Sequence, residues 1–402
     1  MQSLFNGASY PVVSWALSPS GAMKVEEIDL LKPYLVLRRL FWAALILVLG
    51  EFVRGEEPPW SVPVMGHRLS FPQDHGSHPD FKIEWWYLTG HLESGKTRFG
   101  FQATFFRLGQ KPEQVPEGES FGVEQIYMAH MGLSAPGSGD FLHEVRLNRG
   151  GWDAGGDLND LDVFNGNWSL KRNSDGSIFL EGSVHSDVTL SLELTPEKDH
   201  VIFGEEGISR KGPEGTAASY YITFPRLKTI GQVSLNGKQY EVTGESWMDH
   251  EISSSQLDRN QIGWDWTCIQ FFDGREIMGY ILRTDTGEPS EYSKLVWISE
   301  AGELTHQNLE SYSWKHEGSW KSGKTGAVYP VSPRIEAIDP ATGEQRSFQL
   351  IPLMNDQEIV GGPGGVSYWE GACDVIEEAS GETVGRAYLE MTGYTESIAD
   401  KL

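Results

Sequence analysis

EWWYLTGHLESGKTRFGFQATFFR, residues 84–107, reads as an aromatic β-hairpin, and WDWTCIQFFDGREIMGYILR, residues 264–283, repeats its plan. Each opens on closely spaced tryptophans, Trp85-Trp86 or Trp264-Asp265-Trp266. Each breaks at turn residues, Ser94-Gly95-Lys96 or Asp273-Gly274-Arg275, and ends on Phe106-Arg107 or Leu282-Arg283. Glycine turns between aromatic runs are the local signature of a hairpin. Tyr220-Tyr221 then precedes Val242-Thr243-Gly244 by about the interval that separates Tyr368-Trp369 from Met391-Thr392-Gly393. Landmarks repeated in one order predict an all-β chain of two similar antiparallel β-barrels in tandem, residues 60–245 and 246–402, because closure removes the edge strands a long β chain must otherwise hide.

The rest of the chain agrees. Its 402 residues suffice for two domains with full cores. With 46 Gly, 14 Trp, 14 Tyr and 18 Phe, the composition suits strands joined by tight turns. Short apolar or alternating runs at 84–92, 98–107, 127–134 and 178–194 are punctuated by turn residues, and none sustains a helical period. A net charge of −25 repels nucleic acid phosphates, which excludes nucleic acid as a partner. Cys268 and Cys373 are too few for a disulfide scaffold. Two buried thiols are the favoured state, with a bridge the alternative open to an exported protein.

Near the start, Lys32, Arg38 and Arg39 precede the uncharged run LFWAALILVLG, residues 40–50. A membrane span needs roughly 20 apolar residues, so this run reads as the core of a signal peptide ending near Val53-Arg54-Gly55. Residues 1–55 are therefore expected to be a signal peptide, or an anchor if uncleaved, and the protein exported to the periplasm or medium.

Several motifs stand in order after residue 60: Asp74-His75-Gly76-Ser77-His78-Pro79, Glu84-Trp85-Trp86-Tyr87, Gly244-Glu245-Ser246-Trp247-Met248-Asp249-His250-Glu251, Gly263-Trp264-Asp265-Trp266, Tyr368-Trp369-Glu370-Gly371 and Gly385-Arg386-Ala387-Tyr388. As a series they resemble the AttH-like proteins, relatives of carotenoid 1,2-hydratase and kievitone hydratase. The resemblance implies two lipocalin-like, calycin-type barrels with an apolar ligand near their junction. For some members it implies water addition to an isoprenoid double bond, a carbon–oxygen lyase activity without a cofactor. In the hydratases the Trp-x-Asp-His region and a nearby aromatic strand look functional, which carries over to Trp247, Asp249, His250, Trp264 and Trp266.

Hydrating an unactivated alkene requires protonating carbon. A free aspartic acid is protonated only about once in a thousand at neutral pH, so burial must raise its pKa. If residues 245–251 are extended, Glu245, Trp247, Asp249 and Glu251 share one face, with Met248 and His250 on the other. Repulsion among three acids holds a proton on one of them, and Asp249 is the expected acid. His250 would orient or deprotonate water, which needs a bulge to bring it inward, and Glu251 completes the expected catalytic set. Trp247, Trp264, Trp266, Trp86 and Tyr368 are the expected pocket residues, with Trp264 and Trp266 offering ring faces to a cation. The competing reading makes residues 244–251 an interdomain corner and the tryptophans core. A second functional class also fits: a non-catalytic carrier holding an apolar ligand in a barrel mouth.

His75 and His78, with Asp74, Glu84 and His91, invite a metal, but their loop spacing is not that of a helical zinc motif. A hydrogen-bonded plug at the barrel mouth is favoured and no metal is expected. His130, in an apolar setting, reads as a core histidine. No Gly-x-Ser-x-Gly elbow or phosphate loop is present, which argues against a serine hydrolase and a nucleotide site.

Overall fold

The computed structural model describes residues 60–110, 124–213, 215, 217–361 and 366–398, with the backbone of two short paired strands, Val13–Leu17 and Met23–Glu27. The apolar run at 40–50 and the region of Val53-Arg54-Gly55 lie outside the described residues. Apart from one 3-10 turn, Gln73–His75, every regular element described is a β-strand.

Both aromatic hairpins form. Ile83–Ser94 pairs with Thr97–Gly109 around Gly95 at φ +60°, and Gln261–Phe271 pairs with Glu276–Thr284 around Gly274 at φ +86°. Glycine takes these positive φ values without the Cβ clash other residues meet. In the first sheet the order is Asp140–Arg149, Gln125–Ala135, Thr97–Gly109, Ile83–Ser94, Lys238–Ser255, Ala218–Leu235, Val188–Pro196, Ile178–Val184 and Trp168–Arg172, continuing through Asp162–Asn165 to Ala154–Gly156. The second sheet repeats this plan as Leu304–Gln307, Lys294–Ile298, Glu276–Thr284, Gln261–Phe271, Thr383–Met391, Tyr368–Glu377, Gln345–Pro352, Arg334–Ile338 and Tyr312–Lys315. In each, the opening strand pairs with the closing one, Ile83–Ser94 with Lys238–Ser255 and Gln261–Phe271 with Thr383–Met391.

The two sheets are nearly closed antiparallel barrels, and side chains span the gap that backbone pairing leaves. In the first, Asn148 Nδ2 donates to Asn165 Oδ1 at 2.7 Å, and the Arg146 guanidinium lies 4.0 Å from the Trp168 ring centroid. In the second, Gln307 Nε2 donates to the Ile338 carbonyl at 2.5 Å. The first barrel's interior is filled by Trp86, Phe99, Phe101, Phe105 and Trp168; that of the second by Phe271, Trp297, Phe348 and Trp369.

Burial along each strand shows what it faces. Val188–Pro196 alternates, with Val188, Leu190, Leu192 and Leu194 inward and its other face largely wet. Ile83–Ser94 and Glu276–Thr284 are buried on both faces almost throughout. A two-sided buried strand needs cover on both sides, and the second cover is the other barrel. At this junction the sheets approach closely: a Cβ on Gly100 would stand 2.5 Å from Ala372 Cβ. Arg98 pairs with Asp374, Arg386 with Glu93, and Arg226 Nε with Glu276 Oε1 at 2.7 Å across it.

One boundary differs from expectation. The chain crosses between sheets at residues 256–260, not at 245, because Lys238–Ser255 keeps its ladder with Ile83–Ser94 as far as Ser253. Cys268 and Cys373 are free, buried thiols.

Candidate active site at the barrel junction

Residues directly opposite on neighbouring strands share a face, so register alone assembles the site's first wall. Thr223, Asp249, Tyr87, Thr104 and His130 form one cross-strand row on the first barrel's outer face. Tyr221, Glu251, Trp85, Phe106 and Met128 form the next. Facing them, the second barrel contributes Trp264, Trp266, Tyr280, Leu282, Tyr368 and Glu390, and together with these rows, Thr223 excepted, they line a cavity of about 100 Å³.

The three acids expected on one face meet three different fates. Glu245 accepts from Arg226 Nη1 at 2.8 Å, and Glu251 is ion-paired with Lys211. The Lys211 ammonium lies 5.4 Å from the Tyr221 ring centroid and 5.8 Å from that of Trp85. Among the described residues no cation pairs with Asp249. Its Oδ1 accepts from Thr223 Oγ1 at 2.5 Å and Trp247 Nε1 at 2.8 Å, and its Oδ2 from the Tyr221 hydroxyl at 2.7 Å. Trp266 Nε1 donates to the same hydroxyl at 3.0 Å, tying the two barrels together at the acid. Burial raises Asp249 to about 7 against the pull of Thr223, Tyr221 and Trp247, and the Glu251 charge adds to the rise. Asp249 is therefore about half protonated at neutral pH, and Oδ2, with a single donor, has room for the proton.

Of the residues expected in the pocket, Asp249, Glu251, Trp264, Trp266 and Tyr368 line the cavity, and Trp247 stands behind Asp249 as a hydrogen-bond donor. His250 and Trp86 do not reach it. The ladder from Tyr87↔Asp249 through Trp86↔His250 is regular, so no bulge turns His250 inward. It points into the first barrel, stacked on Trp86 with centroids 4.8 Å apart, and Trp86 Nε1 donates to the His75 carbonyl. The expected roles of His250 in water activation and of Trp86 in substrate binding are corrected accordingly. Period-two geometry places both on the face opposite Asp249.

His250 instead belongs to a network at the barrel mouth. His250 Nε2 is 2.9 Å from Glu84 Oε1, His78 Nδ1 is 2.8 Å from the same oxygen, and Arg107 Nε donates to Glu84 Oε2 at 2.8 Å. The other ring nitrogen of His78 is 3.0 Å from Asp74 Oδ1. Burial works to raise Glu84, but His250, His78 and Arg107 outweigh it and hold the carboxyl far below its ordinary range. Burial likewise lowers His78, yet Glu84 and Asp74 prevail and raise it. His78, Glu84 and His250 present ligand atoms within 4.8 Å of one another, a grouping that could hold a metal. With Arg107 already balancing Glu84, the same atoms form a plug of charge-assisted hydrogen bonds in which the buried Nδ1 of His250 alone makes none. His75 lies apart between Phe71 and Phe224, and burial lowers it to about 2. His91 reaches across the junction, its Nε2 2.9 Å from the Ala387 carbonyl. His130 is no core residue of the barrel interior: it lines the junction cavity, with Nδ1 2.7 Å from the Tyr368 hydroxyl.

Sequence reasoning missed Tyr221, Thr223, Lys211, Glu370 and Glu390. Tyr220-Tyr221 stood out only as a landmark of the duplication, and Glu370 only within the Tyr368-Trp369-Glu370-Gly371 motif of the family resemblance. Strand alternation could have put Tyr221 and Thr223 on one face, but nothing local says that this face meets another barrel.

Fold and site together define a protein of two tandem lipocalin-like barrels with a buried, partly protonated carboxyl at their junction. The chain belongs to the AttH-like family, whose profile matches residues 62–394. Its structure is similar to that of an AttH protein from Nitrosomonas europaea, at 36% identity and a TM-score of 0.74 over 83% of this chain and 99% of that one. It is also similar in fold to kievitone hydratase from Nectria haematococca, at 14% identity and a TM-score of 0.61 over 85% and 99% of the two chains. No curated protein matches the sequence.

Proposed function

We propose that the protein is a hydratase-type lyase that adds water to a carbon–carbon double bond of an isoprenoid or other apolar substrate bound between the barrels. The observation that carries this reading is Asp249, a carboxyl raised to about 7 by burial and set on the wall of an aromatic cavity. A free aspartic acid offers a proton about once in a thousand at pH 7; Asp249 offers one about half the time. In the proposed reaction Asp249 Oδ2 protonates the less substituted alkene carbon, and the cation left behind faces the rings of Trp266, Trp264, Trp85 and Tyr280. Each ring contact stabilises it by about 0.5–2 kcal/mol. Water then attacks.

A cavity of about 100 Å³ is smaller than the ~150 Å³ apolar void that admits a benzene ring. It suits the branched end of an isoprenoid chain better than the length of a polyene. The carrier reading places a ligand inside a barrel mouth, whereas the first barrel's interior is occupied by Trp86, Trp168 and three phenylalanines, Phe99, Phe101 and Phe105. The proposal includes export, carried by Lys32, Arg38, Arg39 and the run at 40–50; amino-terminal sequencing of the protein recovered from cell fractions tests it.

Incubating terminally branched alkenes in ¹⁸O-water with the wild type and with Asp249→Asn tests the chemistry. Labelled alcohol from the wild type alone supports the reading, and equal labelling by the variant refutes the assignment of the acid.

A further inference from the structure

The second barrel presents its own row of cross-strand partners to the junction: Tyr280, Trp266, Glu390 and Glu370, each opposite the next. Asp249 belongs to the first barrel and Glu390 to the second, and both line one cavity. Trp264 Nε1 donates to Glu390 Oε1 at 3.2 Å. Glu370 is wholly buried, and neither of its oxygens accepts a hydrogen bond. The buried hydroxyls of Tyr87 and Tyr388 make no hydrogen bond of ordinary length either, although that of Tyr87 lies near enough to the Glu370 carboxyl to pull it down. Burial raises Tyr87 and Tyr368, and the Glu370 charge adds to both, so these two cavity-lining phenols stand close to its carboxyl.

Buried polar atoms are almost always paired, and leaving a carboxyl bare costs more than leaving a hydroxyl. Two oxygens of Glu370 and two hydroxyls without a hydrogen bond of ordinary length, beside an aromatic cavity, form a place for a small polar molecule with both donors and acceptors. Water is that molecule, and it is the second reactant in the proposed reaction.

We propose that Glu390 and Glu370 form a paired carboxyl that holds the attacking water on the wall opposite Asp249 and takes its proton. This rests on the hydratase reading. The alkene π pair takes the proton of Asp249 Oδ2, forming a C–H bond and leaving a carboxylate and a carbocation. A lone pair of water forms the C–O bond. One O–H bond of that water breaks, its electrons return to oxygen, and the proton goes to the ionised member of the pair. The pair then passes a proton to the Asp249 carboxylate, so that alkene and water have become an alcohol and every carboxyl is restored. Burial raises Glu390 to about 8 and Glu370 well above its ordinary range, and repulsion from Glu390 adds to the rise of Glu370, so the pair gives up its first proton from Glu390, which is ionised in about one molecule in ten at pH 7 and in half near pH 8. A pair that shares one proton can receive another from water, as paired aspartates do in acid proteases.

The test compares the wild type, Glu390→Gln, Glu370→Gln and Asp249→Asn, using a phenol carrying a 3-methylbut-2-enyl chain as probe. One arm, in ¹⁸O-water, measures oxygen entering the alcohol. The other, in D₂O, measures deuterium entering recovered alkene, which reports reversible protonation by Asp249 without capture of water. Both glutamine variants are expected to keep deuterium exchange within about twofold while oxygen incorporation falls by about 10²-fold or more, the usual span for loss of a general base. Asp249→Asn is expected to lose both. Wild-type oxygen incorporation in the two glutamine variants overturns the base while leaving the acid in place. Loss of both labels in folded glutamine variants also overturns it, by giving the pair no separate role in water capture. No label of either kind from the wild type refutes the hydratase reading and this base with it. Infrared spectra give a readout free of turnover: the protonated-carboxyl band of Glu370 is expected to titrate at lower pH in Glu390→Gln, where repulsion is gone, and an unchanged titration overturns the pairing.

Discussion

Asp249→Asn should make the protein more stable while abolishing the proposed hydration. In the fold the carboxyl is buried with three neutral donors and no cation, and burial raises it from an ordinary 3.8 to about 7. Each pKa unit is worth about 1.36 kcal/mol, so ionising Asp249 in place costs the fold ~4 kcal/mol at most. The sign follows from linkage. Below pH 3.8 the group is protonated in both folded and unfolded chains and costs nothing. Between 3.8 and about 7 the unfolded chain ionises and the folded one does not, so stability falls as pH rises, and the deficit is complete above about 7. Asparagine escapes that cost: its Oδ1 still accepts from Thr223 and Trp247, and its amide can donate to the Tyr221 hydroxyl. Urea denaturation of both proteins near pH 4, 5.5 and 8 should show nearly equal midpoints at the lowest pH and a variant a few kcal/mol more stable at the highest. A difference that does not grow with pH, or a variant less stable at pH 8, would refute the claim that Asp249 is a strained acid. An acid held against its own solvation is the stability cost expected at a reactive site.

Tyr221→Phe removes a hydrogen bond that holds Asp249 down, so the pH at which the rate falls should move upward, as a pH–rate profile would show. Arg107→Met strips the guanidinium from Glu84 in a fully buried pair and should cost about 3–5 kcal/mol in chemical denaturation; a loss under about 1 kcal/mol would mean that His78 and His250 suffice. Gly100→Val drives a side chain into Ala372 across the junction and should cost about 1–3 kcal/mol in thermal or urea unfolding. An unaffected variant would mean that the barrels separate there without cost.

Local rules carry far into this protein. Gly95 and Gly274 mark turns because positive φ suits glycine, and the aromatic runs around them could only be strands, so the duplicated hairpin and the two-barrel plan were legible. The period of two along 245–251 is enough to put Trp247, Asp249 and Glu251 together and His250 opposite. It leaves open which of these faces is dry. Ile83–Ser94 is buried on both sides only because a second barrel lies against it, and that contact joins residues such as Arg98 and Asp374, 276 positions apart. Tertiary placement likewise gives Glu251 its Lys211 and Glu245 its Arg226, leaves Asp249 without a cation, and sets Glu390 across the cavity from it. Strand periodicity is a property of the backbone and can be read along the chain. The protonation of a carboxyl depends on the water and charges excluded or supplied by distant segments, so it is decided only when the two barrels close over Asp249.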